Sequence, residues 1–600
     1  MLSEDEEGVD CMTDLRYSEI VDVYERVEST TKRLEMTSLL VELLRKSPKE
    51  SIDKVVYLTQ GKLYPDFVGL EIGVAEKLAI KALAIVAGKS EDIVEEKLKE
   101  LGDLGKVAED LVARKAQQSL FHQPLTVGVV YDAFDKMAKA TGSGSVDVKV
   151  RYLTRLLNDA SPKEARYILR TAVGRLRLGV ADMTILDALS EAFGRGKVDR
   201  EIIEKAYNLS SDLGLVAKTL AYEGMEGLRK FKITIGRPIR PMLAERLSDA
   251  REILDKLGGR GAAEYKYDGI RIQAHIGPDA TYLFSRRLED ITSQFPDVCR
   301  YLKDSIDASE AVVEGECVAF EADTGEMLPF QVISQRRGRK YDVEKMSEEI
   351  PVKIFLFDLL YLNGEDYTMR GYTERRRALE SIVTSTDRVG LSHLLITSDP
   401  EELDRYMDQA ISEGCEGLVV KSVGEESIYK AGARGWLWIK YKRSYKAEVA
   451  DTFDLVVVGA FKGRGKRAGS YGALLMAVYN HERDVFETLC KLGSGFTDED
   501  LAGLPKLLEP YRIERKHPRV DSLMEPDLWF TPEMVLEVAA DEITLSPMHT
   551  CSRDEIKRGA GLALRFPRFT GRYRRDKGPE DATTSTEVME LYRRQLKQIA

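Results

Sequence analysis

The stretch around Lys266 combines residue types that suit a nucleophile in phosphate chemistry. Residues 264–269 read EYKYDG and are predicted to form a strand that runs into a tight turn. Because side chains alternate between the two faces of a strand, Glu264 and Lys266 share a face. Gly269 permits the turn, and a lysine that has lost its proton can attack phosphorus. Such a short pattern also recurs by chance on surface strands, so the rest of the chain must support it.

Further predicted strands place polar side chains at alternate positions, as a pocket lined by strand ends requires. Glu314 and Glu316 are two residues apart, as are Lys440 and Lys442, and residues 415–421 supply a further acid and lysine, Glu416 and Lys421. Carboxylates suit a hard divalent cation and lysines suit phosphate groups, so these are the parts of a phosphoryl-transfer site. Ordinary ion pairs between strands would leave a similar pattern.

The elements that position these side chains predict a multidomain protein, because 600 residues exceed what one hydrophobic core holds. Residues 1–11 are acidic and lack apolar periodicity, which predicts a disordered tail that fold and activity do not need. An apolar spacing of about 3.6 residues predicts an all-α domain over residues 12–235. After the prolines of residues 236–241, short strands and helices predict an α/β domain over residues 236–446. Residues 447–600 are rich in strands and end in an amphipathic helix, which predicts a small β-barrel domain.

Composition describes a globular protein, with 43% apolar and 32% charged residues. The net charge of -12 excludes a uniformly basic surface, but positive charge is concentrated in residues 565–577. The cysteines show neither a C-x-x-C pair nor a disulfide framework, and we expect a reducing compartment without structural zinc. With no apolar run of membrane-spanning length and no signal-peptide pattern, the sequence predicts a cytoplasmic protein.

Arginines in two neighbouring helical stretches favour contact with a nucleic-acid backbone. Arg166 and Arg170 lie about one turn apart, and Arg175 and Arg177 follow. A surface of this kind would track phosphates without reading bases. The sequence therefore predicts a phosphate-binding surface on the helical domain.

These segments occur in the order of the signature motifs of the covalent nucleotidyltransferases. From about Met12 to its end, the chain resembles an ATP-dependent DNA ligase of the archaeal and eukaryotic replicative type. The residues that carry the resemblance are Glu264–Arg271, Phe284–Arg287, Glu314–Glu316, Phe357–Leu359, Glu416–Gly417 with Lys421, Lys440–Lys442, and Leu564–Phe569 with Arg574–Lys577. One such motif is a weak signal, but the ordered set is a strong one.

The resemblance implies a role in nucleotide binding for each candidate residue. Lys266 would form a lysyl-AMP intermediate with ATP, Glu264 would help to select adenine, and Phe357 would stack on the adenine ring. Contacts to the rest of the nucleotide would come from Arg271, Arg286, Glu316, Lys421, Arg434, Lys440 and Lys442. Within this set, the resemblance places Arg271 and Glu316 near the ribose. It places Arg286, Arg434, Lys440 and Lys442 at the phosphates.

Metal binding and pyrophosphate release are implied at four further positions. Glu316 and Glu416 would hold Mg²⁺ or another divalent cation. Arg574 and Lys577 would orient the leaving pyrophosphate when the C-terminal OB-fold domain closes over the site. Without the resemblance, the pattern favours a core aromatic residue at Phe357 and ordinary ion pairs for the two glutamates.

The implied activity is the sealing of single-strand nicks in duplex DNA. Lys266 would take AMP from ATP and pass it to the 5′-phosphate at a nick, after which the 3′-hydroxyl would displace AMP. The expected partner is nicked double-stranded DNA, bound by a monomer through its backbone. Gln117, Leu120 and Phe121 also resemble a sliding-clamp binding motif, although the two apolar side chains fit the core of the helical domain as well.

Other classes of protein share part of this pattern. An mRNA capping enzyme or an RNA ligase would share the lysine motif, but the long helical domain and residues 564–569 favour a DNA ligase. An NAD-dependent ligase is expected to carry zinc-binding cysteines, which this chain does not have. An inactive DNA clamp would have no need for Lys266 and the surrounding lysines and glutamates.

Overall fold

A computed structural model of the protein describes residues 14–114, 124–320, 327–328, 330–339, 342–442, 452–463, 469–540, 542–565 and 567–597. The chain divides into two compact units, one of residues 1–95 and 104–442 and the other of residues 96–103 and 443–600. The predicted tail and the stretch with Gln117, Leu120 and Phe121 lie outside the described residues. Of the helices that the structure describes, none has the length and apolar character that crossing a membrane requires.

The chain up to Arg229 is helical where the structure describes it, as the apolar periodicity predicts. Its helices are α1 (Tyr17–Glu28), α2 (Arg33–Lys46), α3 (Ile52–Gln60), α4 (Glu76–Ala87), α5 (Glu91–Leu101), α6 (Leu104–Ala113), α7 (Val127–Lys139), α8 (Ser145–Asp159), α9 (Pro162–Ala172), α10 (Asp182–Phe193), α11 (Arg200–Ser210) and α12 (Leu213–Arg229). Short 3-10 turns lie at Asp66–Val68 and Gly196–Val198.

Helix α9 shows how the sequence fixes a helix and also where our prediction fails. Ser161 and Glu164 form a capping box, in which the Ser161 N–H donates to the Glu164 carboxylate at 2.8 Å. Arg170, which is only 3% exposed, and Arg166 both bind Glu28 of α1, at 2.9 and 2.7 Å. These arginines therefore tie α9 to α1. For the buried Arg170 the prediction that it tracks a nucleic-acid backbone is wrong, whereas for Arg175, which is 48% exposed, it stays a prediction.

The rest of the first unit is an α/β domain. Its strands are β1 (Leu243–Arg246), β2 (Gly261–Lys266), β3 (Ile270–Ile276), β4 (Thr281–Ser285), β5 (Ala311–Ala319), β6 (Val352–Leu362), β7 (Glu365–Asp366), β8 (Val389–Leu391), β9 (Leu394–Thr397), β10 (Gly417–Ser422) and β11 (Arg434–Lys442). Its helices are α13 (Ala250–Lys256), α14 (Pro296–Ser305), α15 (Phe330–Ile333), α16 (Val343–Glu349), α17 (Tyr372–Ile382) and α18 (Pro400–Ser412), with 3-10 turns at Thr292–Gln294 and Ser334–Arg336.

These strands form two sheets, each with its own helices. One sheet has the order β1-β11-β10-β2-β9 and shares a core with α13 and α18. The other has the order β4-β3-β5-β6-β7, with β8 beside β6, and shares a core with α14 and α17. Strands β2 and β3 are joined by the turn after Lys266, so the chain passes from one sheet to the other at the predicted nucleophile.

The second unit is rich in strands, as the sequence predicts. Its strands are β12 (Phe453–Lys462), β13 (Tyr471–Asn480), β14 (Val485–Leu492), β15 (Arg512–Ile513), β16 (Val520–Asp521), β17 (Leu528–Phe530), β18 (Val535–Ala539), β19 (Glu542–Ser546), β20 (Gly561–Arg565) and β21 (Arg568–Tyr573). Its helices are α19 (Asp498–Leu508) and α20 (Ser585–Lys597), with 3-10 turns at Glu509–Tyr511 and Pro579–Asp581.

Strand β12 organises this second unit. It pairs along one edge with β13 and along the other with β18 at its start and β17 near its end. Its register with β13 shifts between Val457 and Gly459, and such a bulge bends a strand and increases its twist. The resulting curled sheet is an OB-fold domain, against which α20 packs through Val588 and Met589.

A buried histidine in β3 makes the first unit sensitive to acid. His275 is 0% exposed, and burial lowers the pKa of its imidazole from 6.5 to about 3. It is therefore neutral when folded but takes up a proton in the unfolded chain below about pH 6.5, so stability is lost as the pH falls through that value.

We predict that His275→Gln makes the first unit less sensitive to acid. The difference in unfolding free energy between wild type and variant should shift by about 1.4 kcal/mol per pH unit below 6.5. Urea unfolding at pH 7, 6 and 5 measures this shift. The exposed His393 provides the control, since His393→Gln should follow the wild-type pH dependence. A constant difference between His275→Gln and wild type would contradict the prediction.

Candidate active site

Strand β10 brings two of the predicted lysines together. It lies between β2 and β11, and its first residue, Gly417, is opposite Lys266 on one side and Lys442 on the other. Glu416, directly before it, donates its backbone N–H to the Lys266 carbonyl at 2.8 Å. Its carboxylate binds the Lys266 ammonium and, at 2.5 Å, that of Lys442. One carboxylate therefore bridges the ends of two strands.

Two glycines make this close approach possible. Gly417 has φ of 141°, and a Cβ there would lie 2.3 Å from the Tyr441 carbonyl oxygen. A Cβ on Gly269 would lie 2.3 Å from the Cys317 carbonyl oxygen. The sequence predicted that Gly269 is needed for the turn. In the structure a glycine is needed there because the backbone of β5 leaves no room for a side chain.

The carboxylates around Lys266 differ in their readiness to hold a proton. Burial raises the pKa of Glu416, but attraction to Lys266 and Lys442 outweighs it and brings the pKa down to about 2. For Glu316 burial prevails over Lys266 and Arg271, and the pKa rises to about 7. Glu416 is thus a fixed anion, whereas Glu316 exchanges a proton near neutral pH.

Lys440 lies at the centre of a group of cations. Burial, followed by the charges of Arg286, Lys266, Arg434 and Lys442, lowers its pKa from 10.5 to about 8. The structure thus brings together the side chains that the sequence predicts to contact phosphates. A bound phosphate would relieve the repulsion among them, so the group is suited to an anionic substrate.

Aromatic rings and cations lie together next to this group. The Phe357 ring meets Trp438 edge-on, with centroids 6.2 Å apart. The Arg271 guanidinium lies 5.5 Å from both rings, and the Lys421 ammonium lies 4.9 Å from Phe357 and 4.6 Å from Trp438. Phe357 is half-buried against the cluster that contains Trp438, so part of its surface stays accessible.

Arg271 is held by the protein itself. It donates to the Met242 carbonyl at 2.9 Å and to the Glu314 carboxylate at 2.8 Å. Burial lowers the pKa of the guanidinium, but Glu314 raises it further, so the net shift is upward. Arg271 is therefore fixed next to the rings of Phe357 and Trp438. Its carboxylate partner, Glu314, is 1% exposed.

Glu264 is also enclosed, by three partners from two elements, α17 and β10. Its carboxylate accepts from the Tyr372 hydroxyl at 2.5 Å and from Arg376 at 3.3 Å, and it binds Lys421 at 2.7 Å. Sequence reasoning missed Tyr372 and Arg376, which lie on α17 more than a hundred residues away. The row of arginines at 375–377 was the available signal, but it is equally typical of a solvated helix face.

Lys421 is buried, although we predicted it as a nucleotide contact. Its ammonium donates to the Phe357 carbonyl at 2.9 Å and lies 3.9 Å from Asp358, which in turn accepts from Arg375 at 2.7 Å. Burial lowers its pKa despite these partners. Lys421 therefore supports the strand that carries Phe357.

Arg574 and Lys577 belong to the second unit. There both bind Asp454, at 2.8 and 2.7 Å. Their proposed contact with pyrophosphate stays a prediction from the resemblance.

The carboxylates allow a test of the predicted metal site. Within the described ranges, no three His, Cys, Asp or Glu side chains are grouped so that they could hold a metal ion on their own. Glu316 and Glu416 are close enough for Glu416 to raise the pKa of Glu316. Because Mg²⁺ usually binds one or two carboxylates together with substrate phosphates and water, this pair fits a cation shared with a phosphate.

Family models match each part of the chain. The model described as "DNA ligase N terminus" matches residues 16–190. "ATP dependent DNA ligase domain" matches residues 241–442, and "ATP dependent DNA ligase C terminal region" matches residues 467–577.

Whole-chain relatives and a solved structure agree with these matches. "DNA ligase 2" of Thermofilum pendens is 56% identical over 592 residues, 97% of this chain and 98% of that one. "DNA ligase" of Sulfophobococcus zilligii is 54% identical and covers 98% of both chains. The solved structure of Pmar-Lig_PreS3 has a TM-score of 0.54 at 17% identity, covers 92% of this chain and 99% of that one, and supports the fold.

The fold, with its helical part, central α/β domain and C-terminal OB-fold domain, is that of a nucleotidyltransferase. With its family matches and full-length relatives, the chain belongs to the ATP-dependent DNA ligase family. The resemblance seen in the sequence and the predicted fold class are thereby confirmed.

We predict that Lys421→Met destabilises the first unit by about 3 kcal/mol, because it leaves the buried carboxylates of Glu264 and Asp358 short of a partner. Urea unfolding at neutral pH measures the loss. Lys256→Met, at an exposed position, is the control and should change stability by less than about 0.5 kcal/mol. Equal stability of Lys421→Met and wild type would show that the buried charge is not needed.

Proposed function

We propose that this protein is an ATP-dependent DNA ligase that seals nicks in duplex DNA through a lysyl-AMP intermediate on Lys266. The observation that carries the proposal is the bridge by Glu416 between Lys266 and Lys442, set beside the cations around Lys440. Membership of the ligase family supplies the substrate class.

The reaction consists of phosphoryl transfers in sequence. The Lys266 nitrogen attacks the α-phosphorus of ATP, a phosphorus–nitrogen bond forms, and pyrophosphate leaves. An oxygen of the 5′-phosphate at the nick then attacks the same phosphorus and releases Lys266. Finally the 3′-hydroxyl attacks the nick phosphorus, and AMP leaves. Each is an in-line displacement for which the protein supplies position and charge.

The resting site must change before Lys266 can attack. Its nitrogen binds the Glu416 carboxylate, whereas a nucleophile needs a free lone pair. Lys442 also binds Glu416, so that carboxylate keeps a cationic partner when Lys266 turns to the phosphate. The proton that Lys266 loses passes to the solvent, because Glu316 is kept as a ligand for the divalent cation.

The cations around Lys440 suit the phosphate chain of ATP. Lys440 is repelled by Arg286, Arg434 and Lys442 as long as no anion is bound among them. During transfer of a phosphoryl group, negative charge develops on its oxygens. We propose that these four side chains bind that charge.

Glu316 and Glu416 would hold a divalent cation, most simply Mg²⁺ shared with the α-phosphate. Bound there, the cation would withdraw charge from the phosphate and favour attack.

We place the adenine of ATP against Phe357, because that ring is half-buried while the cations around it are fixed by other partners. The Glu264 carboxylate is held in one orientation by Tyr372 and Lys421, which suits recognition of an amino group. Arg271 and Lys421 act indirectly, by holding in place the side chains that line this pocket.

The proposed DNA partner is a nicked duplex, contacted through its backbone. Arg166 and Arg170 are engaged with Glu28 and do not supply that contact. A sliding clamp bound through Gln117, Leu120 and Phe121 rests on the sequence pattern alone, because that stretch lies outside the described residues.

We predict that Lys266→Ala still seals a nick that already carries AMP on its 5′-phosphate. Sealing with ATP should fall by at least about a thousandfold, because no nitrogen remains to accept AMP. Lys266→Arg should fail in the same way, since guanidinium keeps its proton. Gel assays with both substrates measure the split, and Lys256→Ala is the matched control. Stoichiometric labelling of Lys266→Ala by radioactive ATP would refute the assignment.

We predict that Arg574→Ala and Lys577→Ala slow the formation of lysyl-AMP by about ten- to a hundredfold, because each removes a cation from the leaving pyrophosphate. Sealing of pre-adenylated nicks should change much less, since no pyrophosphate leaves in that step. Arg512→Ala, at an exposed arginine of the same unit, is the control. Equal losses in both assays would argue against a role specific to pyrophosphate.

A further inference from the structure

Asp454 is fixed at the start of β12 and points at the two cations proposed to act on pyrophosphate. Its N–H donates to the Thr583 hydroxyl at 2.9 Å, and the Thr583 N–H donates to its carbonyl at 2.9 Å. The side chain is 11% exposed. Asp454 thus has a rigid backbone and a carboxylate with little access to water.

Its carboxylate holds both cations at once. The Nη1 group of Arg574 donates to both carboxylate oxygens of Asp454, at 2.9 and 2.8 Å. Lys577 donates to one of the same oxygens at 2.7 Å. The other edge of Arg574 donates to both oxygens of Asp576, at 3.0 and 2.7 Å. These charge-assisted contacts have the geometry with which arginine and lysine bind phosphate oxygens.

A second acid strengthens the hold on these cations. Glu537 of β18 is directly opposite Asp454 in the register, and it accepts from Arg572 at 3.3 Å. The Arg574 guanidinium lies 4.0 Å from it. Since like charges opposite each other destabilise a sheet, the pair of acids needs the cations nearby. If Arg574 and Lys577 moved away, the repulsion between Asp454 and Glu537 would no longer be offset.

We propose that Asp454 is a positioning residue that acts as an internal substitute for pyrophosphate. It keeps Arg574 and Lys577 paired and oriented between turnovers, and it competes with the phosphates of ATP and with free pyrophosphate for them. The inference rests on the role of Arg574 and Lys577 under the proposed function. Because the Asp454 carboxylate can take the place of pyrophosphate, Arg574 and Lys577 can bind pyrophosphate and then release it.

The test is Asp454→Asn, which keeps the shape of the side chain and removes its charge. Without the competing charge, the KM for ATP in lysyl-AMP formation should fall by about three- to tenfold, as should the KM for pyrophosphate in the reverse reaction. Sealing of pre-adenylated nicks should not change. A structural ion pair alone would predict a lower melting temperature with both KM values unchanged, and that result overturns the proposal.

Matched variants separate the competing charge from other effects. Asp484→Asn breaks another carboxylate–arginine pair of the same unit, with Arg519, and should leave both KM values unchanged. Asp454→Glu keeps the charge and should stay near wild type in KM. If Asp454→Asn does not fold at the assay temperature, as thermal melting reveals, Asp454→Ser serves instead, with the same expected fall in KM.

The background without the two cations distinguishes this inference from the proposed function. In Arg574→Ala/Lys577→Ala, the further change Asp454→Asn should have no effect on KM, and a persisting effect overturns the proposal. If the two alanines leave lysyl-AMP formation intact, the proposed role of the cations fails. If they impair it but Asp454→Asn leaves KM unchanged or raises it, only the role of Asp454 fails.

Discussion

The site depends on one carboxylate shared by two ammonium groups. Glu416 binds Lys266 and Lys442 because β10 lies between the strands that carry them, with Gly417 opposite both. Two lysines this close would otherwise repel each other in a half-buried setting, and the fixed anion makes their approach favourable. The pKa of Glu416, lowered to about 2 by the two lysines, keeps its carboxylate negatively charged at neutral pH.

Beneath this bridge, a layer of buried ion pairs shapes the nucleotide pocket. Glu264, Lys421 and Asp358 are each at most 2% exposed. Such charges are costly to bury, and they persist only where every one is paired and hydrogen-bonded. They leave the half-buried Phe357 and the cations around Lys440 as the groups that a substrate can meet. The side chains around the proposed nucleotide pocket are therefore held in place by the protein's own ion pairs.

Part of the site could be predicted from the sequence, because alternation along a strand places Lys440 and Lys442 on one face and Glu264 and Lys266 on another. The register that puts Gly417 between two lysines could not, since sequence does not specify which strands pair. Partners from distant elements were also missed, such as Tyr372 for Glu264 and Asp454 for Arg574. Arg170 was misjudged because a helical arginine pattern looks the same whether its partner is a phosphate or Glu28.

The central claim is that Lys266 carries AMP, although Lys440 is the lysine whose pKa is lowered to about 8. The order of the signature motifs in the sequence favours Lys266 over both Lys440 and Lys442. Mass spectrometry of proteolytic peptides, after incubation of the wild-type protein with ATP and Mg²⁺, locates the modification directly. AMP on the peptide that contains Lys266 is the expected result, and AMP on Lys440 or Lys442 instead would contradict the account.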